Sequence, residues 1–288
     1  MTIEITGHTR LCGIFGDPVE HSRSPRLHST AFKMADADYR YLAFRIEEKD
    51  LARAIEAARL FNMRGFNLTM PHKIAVIPFL DRLDPAVDLI GAVNTVVNED
   101  GELVGYNTDG YGFVKTFAVH GHPVAGKKMT QMGIGGAGTA VAAQSALDGA
   151  REIAVFSPGN GKSWKRAGEE VALIAEKTGC NITLHDANDY DDLRAEIASS
   201  DLLANMTPLG MGALEGKSPI PDASFLHEGL VVQDAIYAPP ETALLKMAKE
   251  VGAEAINGLE VLYYQGARCF ELWTGKEMPL SLEEVAAL

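Results

Sequence analysis

The chain has 288 residues, of which 47% are hydrophobic and 23% charged, and its 26 basic and 39 acidic side chains give a net charge of −13. This length and apolar content support a packed core, and we expect two domains. The acidic balance argues against a nucleic-acid or anionic-membrane partner, because phosphate contacts need a basic surface.

Cysteine usage and hydropathy indicate the compartment. Cys12, Cys180 and Cys269 are scattered and form no CxxC pair, so we expect thiols without disulfides in a reducing environment. The first ten residues contain no apolar segment typical of a secretion signal, and no run of 18 apolar residues is present. These features predict a cytoplasmic protein with no membrane partner.

Strand-like and helix-like segments alternate through the first hundred residues, which favours an α/β fold. Ser24 followed by Pro25 is typical of a helix start, with the serine as N-cap. The predicted strands are residues 11–15, 39–46 and 65–70 and a hairpin of 92–97 and 102–106, and the predicted helices are residues 24–35, 49–61, 74–83 and 85–90.

The second half has a stricter β-α rhythm, which predicts a doubly wound parallel sheet with its ligand beyond the carboxyl ends of the strands. An apolar helical stretch at residues 259–273 is expected to return to the first domain. The predicted strands are residues 128–132, 152–156, 181–185, 201–205 and 230–233, and the predicted helices are residues 138–147, 163–177, 190–199 and 241–251.

A glycine-rich sequence, Gly133-Ile134-Gly135-Gly136-Ala137-Gly138, joins a predicted strand to a helix of small residues. This G-x-G-x-x-G pattern is typical of a dinucleotide-binding loop, in which backbone N–H groups and the helix N-terminus bind a pyrophosphate. The alternative is a tight turn before an alanine-rich packing helix, and the β-α context favours the nucleotide. The expected cofactor contacts are Gly133, Gly135, Gly136, Ala137, Gly138, Ser157, Thr207, Ala235 and Gly258.

The end of the second strand of this sheet leaves the cofactor open between NAD and NADP. NAD-binding sheets usually carry an acidic residue there for the ribose hydroxyls. The sequence here, Ser157-Pro158-Gly159-Asn160-Gly161, has none. Lys162, Lys165 and Arg166 follow, and they either bind a 2′-phosphate or form the solvated face of the next helix.

Two polar sequences of the first half, Asn67-Leu68-Thr69-Met70-Pro71-His72-Lys73 and Asn107-Thr108-Asp109, lie among apolar residues. Their hydrogen-bonding groups suit a small polyhydroxylated molecule. If Lys73 and Asp109 converge, each stabilises the charge of the other and the lysine can act as general acid and base. The alternative is a surface lysine and an aspartate that caps the helix at residues 110–119.

Other polar side chains have two open interpretations. Ser22 and Ser24 precede a helix, where they bind a carboxylate or simply cap the helix. Asn94 lies in an apolar run, so it either braces the backbone or faces a ligand. Tyr237 and Gln265 are further candidates at a strand end and in the last helix. The histidines at positions 21, 28 and 72 lack metal-ligand spacing, and we predict no metal site.

These motifs together resemble the shikimate/quinate dehydrogenase family, from Gly13 to about Pro279. The segments that carry the resemblance begin at Gly16 (GDPVEHSRSP), Gly65 (GFNLTMPHK), Gly91 (GAVNT), Gly105 (GYNTDG), Gly133 (GIGGAG), Asn205 (NMTPLGM), Asp234 (DAIYAP), Gly258 (GLEVLYYQ) and Trp273 (WTG).

The resemblance implies reversible, nicotinamide-linked oxidation of a ring hydroxyl of shikimate or quinate. It implies a substrate domain of residues 1–110 and 256–288 and a Rossmann-type NAD(P)-binding domain of residues 111–255. Lys73 and Asp109 would be the catalytic pair, and the protein would act as a monomer or homodimer on a small-molecule substrate. The expected substrate-binding residues are Ser22, Ser24, Asn67, Thr69, Asn94, Tyr237 and Gln265.

The chain departs from the family where the cofactor ribose binds. Members that use NADP carry Asn-Arg-Thr or Asn-Arg-Arg after the second nucleotide strand, and here Ser157 and Pro158 stand in the first two places. The arginine that clamps a 2′-phosphate is absent, so we expect NAD to rival NADP. Two other functions stay open: a non-enzymatic sensor of carbocyclic acids, and a dehydrogenase of a modified cyclohexane acid.

Overall fold

A computed structural model describes residues 5–20 and 22–288, apart from the side chains of residues 161 and 162. The chain divides into two compact units: unit 1 comprises the residues up to Thr108 and Gln265–Leu288, and unit 2 comprises Asp109–Tyr264. Each unit contains a six-stranded sheet together with helices, which confirms the α/β class. Within the described residues, no helix is long and apolar enough to cross a membrane.

The sheet of unit 1 has the order β2-β1-β3-β5-β6-β4. β1 pairs in parallel with β2 and β3, whereas the β3–β5 and β5–β6 pairs are antiparallel. The carboxyl ends of β1 and β3 therefore lie side by side. The elements are β1 (Arg10–Gly16), α1 (Ser24–Met34), β2 (Tyr39–Arg45), α2 (Leu51–Leu60), β3 (Gly65–Leu68), α3 (His72–Ala75), β4 (Arg82–Leu83), α4 (Pro85–Ile90), β5 (Thr95–Glu99) and β6 (Glu102–Tyr106).

Two local predictions for unit 1 are wrong. Residues 74–83 do not form one helix: α3 ends at Ala75, a 3₁₀ turn covers Ile77–Phe79, and β4 follows. Pro78 has no N–H to continue a helix and its ring clashes with the preceding turn. Ser24 is the first residue of α1 rather than its cap, because Arg23 occupies the N-cap without a side-chain hydrogen bond.

The sheet of unit 2 has the order β12-β11-β10-β7-β8-β9, and all of its pairs are parallel. The order reverses between β7 and β10, which is the switch point where doubly wound sheets bind ligands. The elements are α5 (Thr108–Val119), β7 (Lys128–Met132), α6 (Gly136–Leu147), β8 (Glu152–Ser157), α7 (Gly161–Thr178), β9 (Asn181–Asp186), α8 (Tyr190–Ala198), β10 (Leu202–Asn205), β11 (Val231–Asp234), α9 (Ala243–Glu250) and β12 (Glu254–Ile256).

The last helices are α10 (Leu259–Thr274) and α11 (Leu282–Ala287). From Gln265 onward α10 belongs to unit 1, where Trp273 is 1% exposed and donates from Nε1 to the carbonyl of Val96 at 3.0 Å. Trp273 packs in an aromatic cluster with His28 and Tyr41. The ring centroids of His28 and Trp273 lie 5.0 Å apart, and those of His28 and Tyr41 lie 4.8 Å apart. This cluster ties α10 to α1 and β2.

Burial in the aromatic cluster lowers the pKa of His28 to about 3. The unfolded chain takes up a proton near pH 6.5 and the folded chain does not, so stability falls as the pH drops below 6.5. Between pH 5.5 and 4 we expect the wild type to lose about 2 kcal/mol more unfolding free energy than His28→Phe. Urea unfolding at both pH values measures this difference. His8→Phe, at an exposed position, is the control and should lose as much unfolding free energy between the two pH values as the wild type. Equal losses for the wild type and His28→Phe would contradict the prediction.

Candidate functional site

The glycine loop between β7 and α6 leaves an open cradle of backbone N–H groups. Gly133 has φ +92°, a conformation that favours glycine, and a Cβ on Gly138 would collide with the carbonyl oxygen of Gly133. Gly135 is the N-cap of α6 and makes no side-chain capping bond. A Cβ on Gly135 or Gly136 would meet nothing within 4 Å. The first N–H groups of α6 therefore face open space, and this cradle fits a dinucleotide diphosphate.

Gln131 braces this loop, a role that the sequence analysis missed. Its side chain is fully buried in β7, and Nε2 donates to the carbonyls of Gly133 and Gly138, both at 2.9 Å. A polar residue inside a central parallel strand is unusual, since such strands are normally apolar. That unusual polarity was the only signal in the sequence that could have identified it.

Thr207 lies against the same loop, at the carboxyl end of β10. Its methyl group is 3.0 Å from the position that a Cβ of Gly133 would occupy. Its N–H and hydroxyl donate to Oδ1 of Asn205 at 3.0 and 2.7 Å. Asn205 in turn donates to Oδ1 of Asp234 at 3.0 Å, and Thr242 donates to Oδ2 at 2.7 Å. This buried network holds the ends of β10 and β11 in register, and burial raises the pKa of Asp234.

Two other predicted cofactor residues pack against each other. Ala235 follows β11 directly, and its carbonyl lies so close to Gly258 that a Cβ on Gly258 would overlap it. The N–H of Gly258 donates to the carbonyl of Ile236 at 3.0 Å. Glycine is therefore required at position 258 for the turn into α10. Ser157, the last residue of β8, is buried at the same edge of the sheet.

The basic residues after β8 are paired along α7 where the structure describes them. Nε of Arg166 lies 2.7 Å from Glu170, and Nζ of Lys165 lies 3.8 Å from Glu169. The side chain of Lys162 lies outside the described residues. Lys165 and Arg166 thus lie on the solvated face of a helix, the second of the two interpretations that the sequence left open.

In unit 1, the predicted substrate residues cluster at the carboxyl ends of β1 and β3. The N–H of Thr69 donates to the carbonyl of Phe15 at 3.0 Å, and its methyl group fills the place that a side chain at Gly16 would take. Lys73 lies in α3, half-buried, and its carbonyl accepts from the N–H of Val93 at 2.8 Å. The backbone that carries Lys73 is therefore attached to the segment that contains Asn94.

Asn94 is 4% exposed and braces the chain where β6 leads into α5. Its Oδ1 accepts from the N–H of Thr108 at 2.8 Å and from the hydroxyl of Thr95 at 2.9 Å. Its Nδ2 donates to Oγ1 of Thr108 at 3.0 Å. The backbone-bracing interpretation of Asn94 is therefore observed. Because Thr108 immediately precedes Asp109, these bonds also hold the start of the segment that presents Asp109.

Asn67 connects this network to β2. Its Nδ2 donates to Oγ1 of Thr95 at 3.0 Å and to the carbonyl of Asn94 at 3.2 Å, and its Oδ1 accepts from the Tyr41 hydroxyl at 2.6 Å. Burial raises the pKa of Tyr41, so the phenol stays protonated and can donate.

The remaining predicted site residues are distributed over both units. Ser22 accepts from the N–H of Ser24 at 3.3 Å, and Gln265 lies on α10 in unit 1. Asp109, in the first turn of α5, and Tyr237, 42% exposed after β11, belong to unit 2. Unit 1 thus brings together the serines, Asn67, Thr69, Lys73 and Asn94. His21 lies outside the described residues.

Among the residues that the structure describes, no group of metal-binding side chains gathers near these positions. Among residues 5–20 and 22–288, the group that could share an ion is His185, Asp192 and Glu196. Nδ1 of His185 lies 2.7 Å from Asp192, and Nζ of Lys128 lies 2.7 Å from Glu196. The carboxylates of this group are thus occupied by cationic or ring N–H partners. The cysteines carry no disulfide, as expected.

Family models match two parts of the chain. Residues 14–96 match the shikimate dehydrogenase substrate binding domain, and residues 258–282 match the shikimate 5′-dehydrogenase C-terminal domain. A shikimate dehydrogenase (NADP(+)) from Listeria monocytogenes is 44% identical over 280 residues, which is 97% of this chain and 96% of the relative.

Solved structures match over nearly the full length. A shikimate 5-dehydrogenase from Listeria monocytogenes in complex with shikimate and NAD is 43% identical, with a TM-score of 0.95 over 100% of this chain and 98% of the other. A quinate dehydrogenase from Corynebacterium glutamicum in complex with NAD is 30% identical, with a TM-score of 0.85 over 97% and 98% of the two chains.

Truncation of Asn94 tests the bracing network. In Asn94→Ala, the N–H of Thr108 loses its acceptor in a buried position, and we expect a loss of about 1–3 kcal/mol in unfolding free energy. Asn181→Ala, at an exposed position of β9, is the matched control and should change stability by less than about 0.5 kcal/mol. Chemical denaturation measures both variants. Equal small effects would contradict the structural role given to Asn94.

Proposed function

Because the chain belongs to the shikimate dehydrogenase family, we propose that it catalyses the reversible oxidation of a ring hydroxyl of shikimate or quinate to the 3-dehydro ketone with NAD or NADP. The observation that carries this proposal is the open glycine loop at the switch point of unit 2, in a chain similar to shikimate dehydrogenases over nearly its whole length. Quinate enters the proposal because a quinate dehydrogenase shares the fold.

The substrate is bound by hydrogen-bonding side chains of the candidate site. Ser22 and Ser24 lie at the start of α1, where hydroxyls and helix N–H groups suit a carboxylate. The ring hydroxyls are bound by Thr69, Asn94, Lys73 and Asp109, with Gln265, Tyr237 and Asn67 completing the site. Such a site rejects analogues that lack a hydroxyl, because its own donors would be left unpaired.

Lys73 and Asp109 form the acid–base pair. In the direction of oxidation the unprotonated Lys73 amine accepts the hydroxyl proton, and in the reverse direction the resulting ammonium donates it to the ketone oxygen. The Asp109 carboxylate stabilises the ammonium and orients the hydroxyl. A bound nicotinamide supplies the hydride acceptor. Support comes from the backbone beside each residue: the Lys73 carbonyl accepts from the N–H of Val93, and the N–H of Thr108, which precedes Asp109, donates to Asn94.

The cofactor is bound by unit 2. The N–H groups at Gly135, Gly136, Ala137 and Gly138 would hold the diphosphate, with Gly133 making the turn. Thr207, Ala235 and Gly258 line the nicotinamide side and Ser157 the adenosine side. We further propose a cytoplasmic enzyme that works as a monomer or homodimer. Support for that compartment comes from the net charge of −13 and from cysteines that carry no disulfide.

Replacement of Lys73 tests the proton carrier. In Lys73→Met the stem of the side chain is retained and the exchangeable proton is lost, so we expect kcat for shikimate oxidation to fall by about 10²–10⁴-fold. Lys33→Met, at an exposed position of α1, is the matched control and should retain wild-type kcat. Circular dichroism checks the fold of both variants. Unchanged turnover in folded Lys73→Met would remove the proposed role.

Substrate and cofactor choice is tested by a steady-state matrix of shikimate and quinate against NAD and NADP. We expect turnover of at least one substrate, with kcat/KM for NAD equal to or above that for NADP, because Pro158 stands where the family carries its arginine after β8 and Arg166 is paired with Glu170. The measurement is the rise of absorbance of the reduced nicotinamide. No turnover with any of the four pairs, together with no nucleotide binding, would favour a ligand sensor on the same fold.

A further inference from the structure

Asp186, the last residue of β9, places a carboxylate beside the end of β8. Ser157 and Asp186 are partners in the parallel β8–β9 ladder, and the N–H of Ala187 donates to the carbonyl of Ser157 at 2.9 Å. Oδ1 of Asp186 accepts from the N–H of Gly159 at 2.8 Å. An acidic side chain therefore occupies the edge of the sheet where the second strand itself has none.

The second oxygen of this carboxylate is directed over Gly159. A Cβ on Gly159 would collide first with Oδ2 of Asp186, so a side chain at position 159 and the present position of Asp186 exclude each other. Oδ1 accepts a hydrogen bond from the N–H of Gly159 at 2.8 Å. It also accepts from the N–H of Asn188 at 3.0 Å and from Nδ2 of Asn188 at 2.8 Å. Within the described part of the chain, no donor reaches Oδ2, which keeps its capacity to accept hydrogen bonds from a ligand.

Among the side chains that the structure describes, Asp186 forms no ion pair, and Lys165 and Arg166 of α7 lie beside glutamates. Hydrogen bonds from Asn188 and Gly159 lower the pKa of Asp186, so the carboxylate is ionised at neutral pH. Arg166 is bound to Glu170, which also accepts from Thr139 at 2.9 Å, and Lys165 is 3.8 Å from Glu169. These two cations of α7 are already neutralised by carboxylates one turn further along the helix.

In doubly wound sheets the adenosine ribose binds at the end of the second strand, where an acidic residue accepts from its hydroxyls. We infer that Asp186, contributed by the third strand of the sheet, determines cofactor choice in this protein by binding the ribose hydroxyls of NAD and repelling the 2′-phosphate of NADP. The inference rests on the proposed nicotinamide-dependent function and specifies which nucleotide it uses. Gly159 is part of the same determinant, because only glycine leaves room for the carboxylate.

Nucleotide binding without turnover tests this inference. The dissociation constants of NAD, NADP, adenosine 5′-monophosphate and adenosine 2′,5′-bisphosphate are measured by calorimetry for wild type, Asp186→Asn and Asp148→Asn. Asp186→Asn keeps the shape of the side chain and an acceptor for Gly159, and it removes only the charge. Asp148→Asn is the control, because it also removes one negative charge. Asp148 follows the carboxyl end of α6, about 18 Å along the helix from the glycine loop.

We expect the wild type to bind NAD and the monophosphate at least about tenfold more tightly than their 2′-phosphorylated counterparts. Asp186→Asn should shift both ratios about tenfold or more towards the 2′-phosphorylated ligands, and Asp148→Asn should leave them within twofold of wild type. Ratios that are unchanged in folded Asp186→Asn, or a wild type that prefers NADP, would overturn the inference and leave the proposed function standing. Failure of all four nucleotides to bind the wild type would overturn the proposed function itself.

Discussion

Buried amide side chains that hold the loops at the strand ends are the constraint on which both units depend. Asn67 and Asn94 in unit 1, and Gln131 and Asn205 in unit 2, are at most 6% exposed. A buried amide that lacks partners costs free energy, so each of them is bonded to backbone or side-chain groups of a neighbouring loop. The same bonds fix the backbone that follows the strand. The positions of the candidate functional residues are therefore set by polar groups inside the core.

Buried amides hold the segments that carry the candidate functional residues. In unit 1, Asn94 holds Thr108, and the N–H of the preceding residue, Val93, donates to the carbonyl of Lys73. In unit 2, Asn205 holds Thr207 against Gly133, and Gln131 spans the glycine loop from Gly133 to Gly138. A packed core has few alternative arrangements, so groups held in this way have little freedom to move. Such preorganisation lowers the cost of orienting a substrate and a cofactor for reaction.

The carboxyl end of β8 lacks the arginine clamp that the family pattern predicts. Pro158 supplies no donor or charge, Gly159 supplies no side chain, and the carboxylate of Asp186 occupies the resulting space. The three features depend on one another, because a larger residue at position 159 would displace Asp186. The loop after β8 and the end of β9 are therefore constrained together.

The sequence by itself determined the α/β class, the alternation of strands and helices in unit 2 and the glycine loop, because these follow from local periodicity and from the backbone freedom of glycine. It also identified the polar sequences around Lys73 and Asp109. It missed β4 and β12, which have two and three residues, since segments this short carry no readable alternation. Only the tertiary structure decided the roles of Gln131 and Asp186. Their partners, the carbonyls across the glycine loop and the N–H of Gly159 in the loop after β8, are brought near by folding, and no local pattern encodes which strands become neighbours.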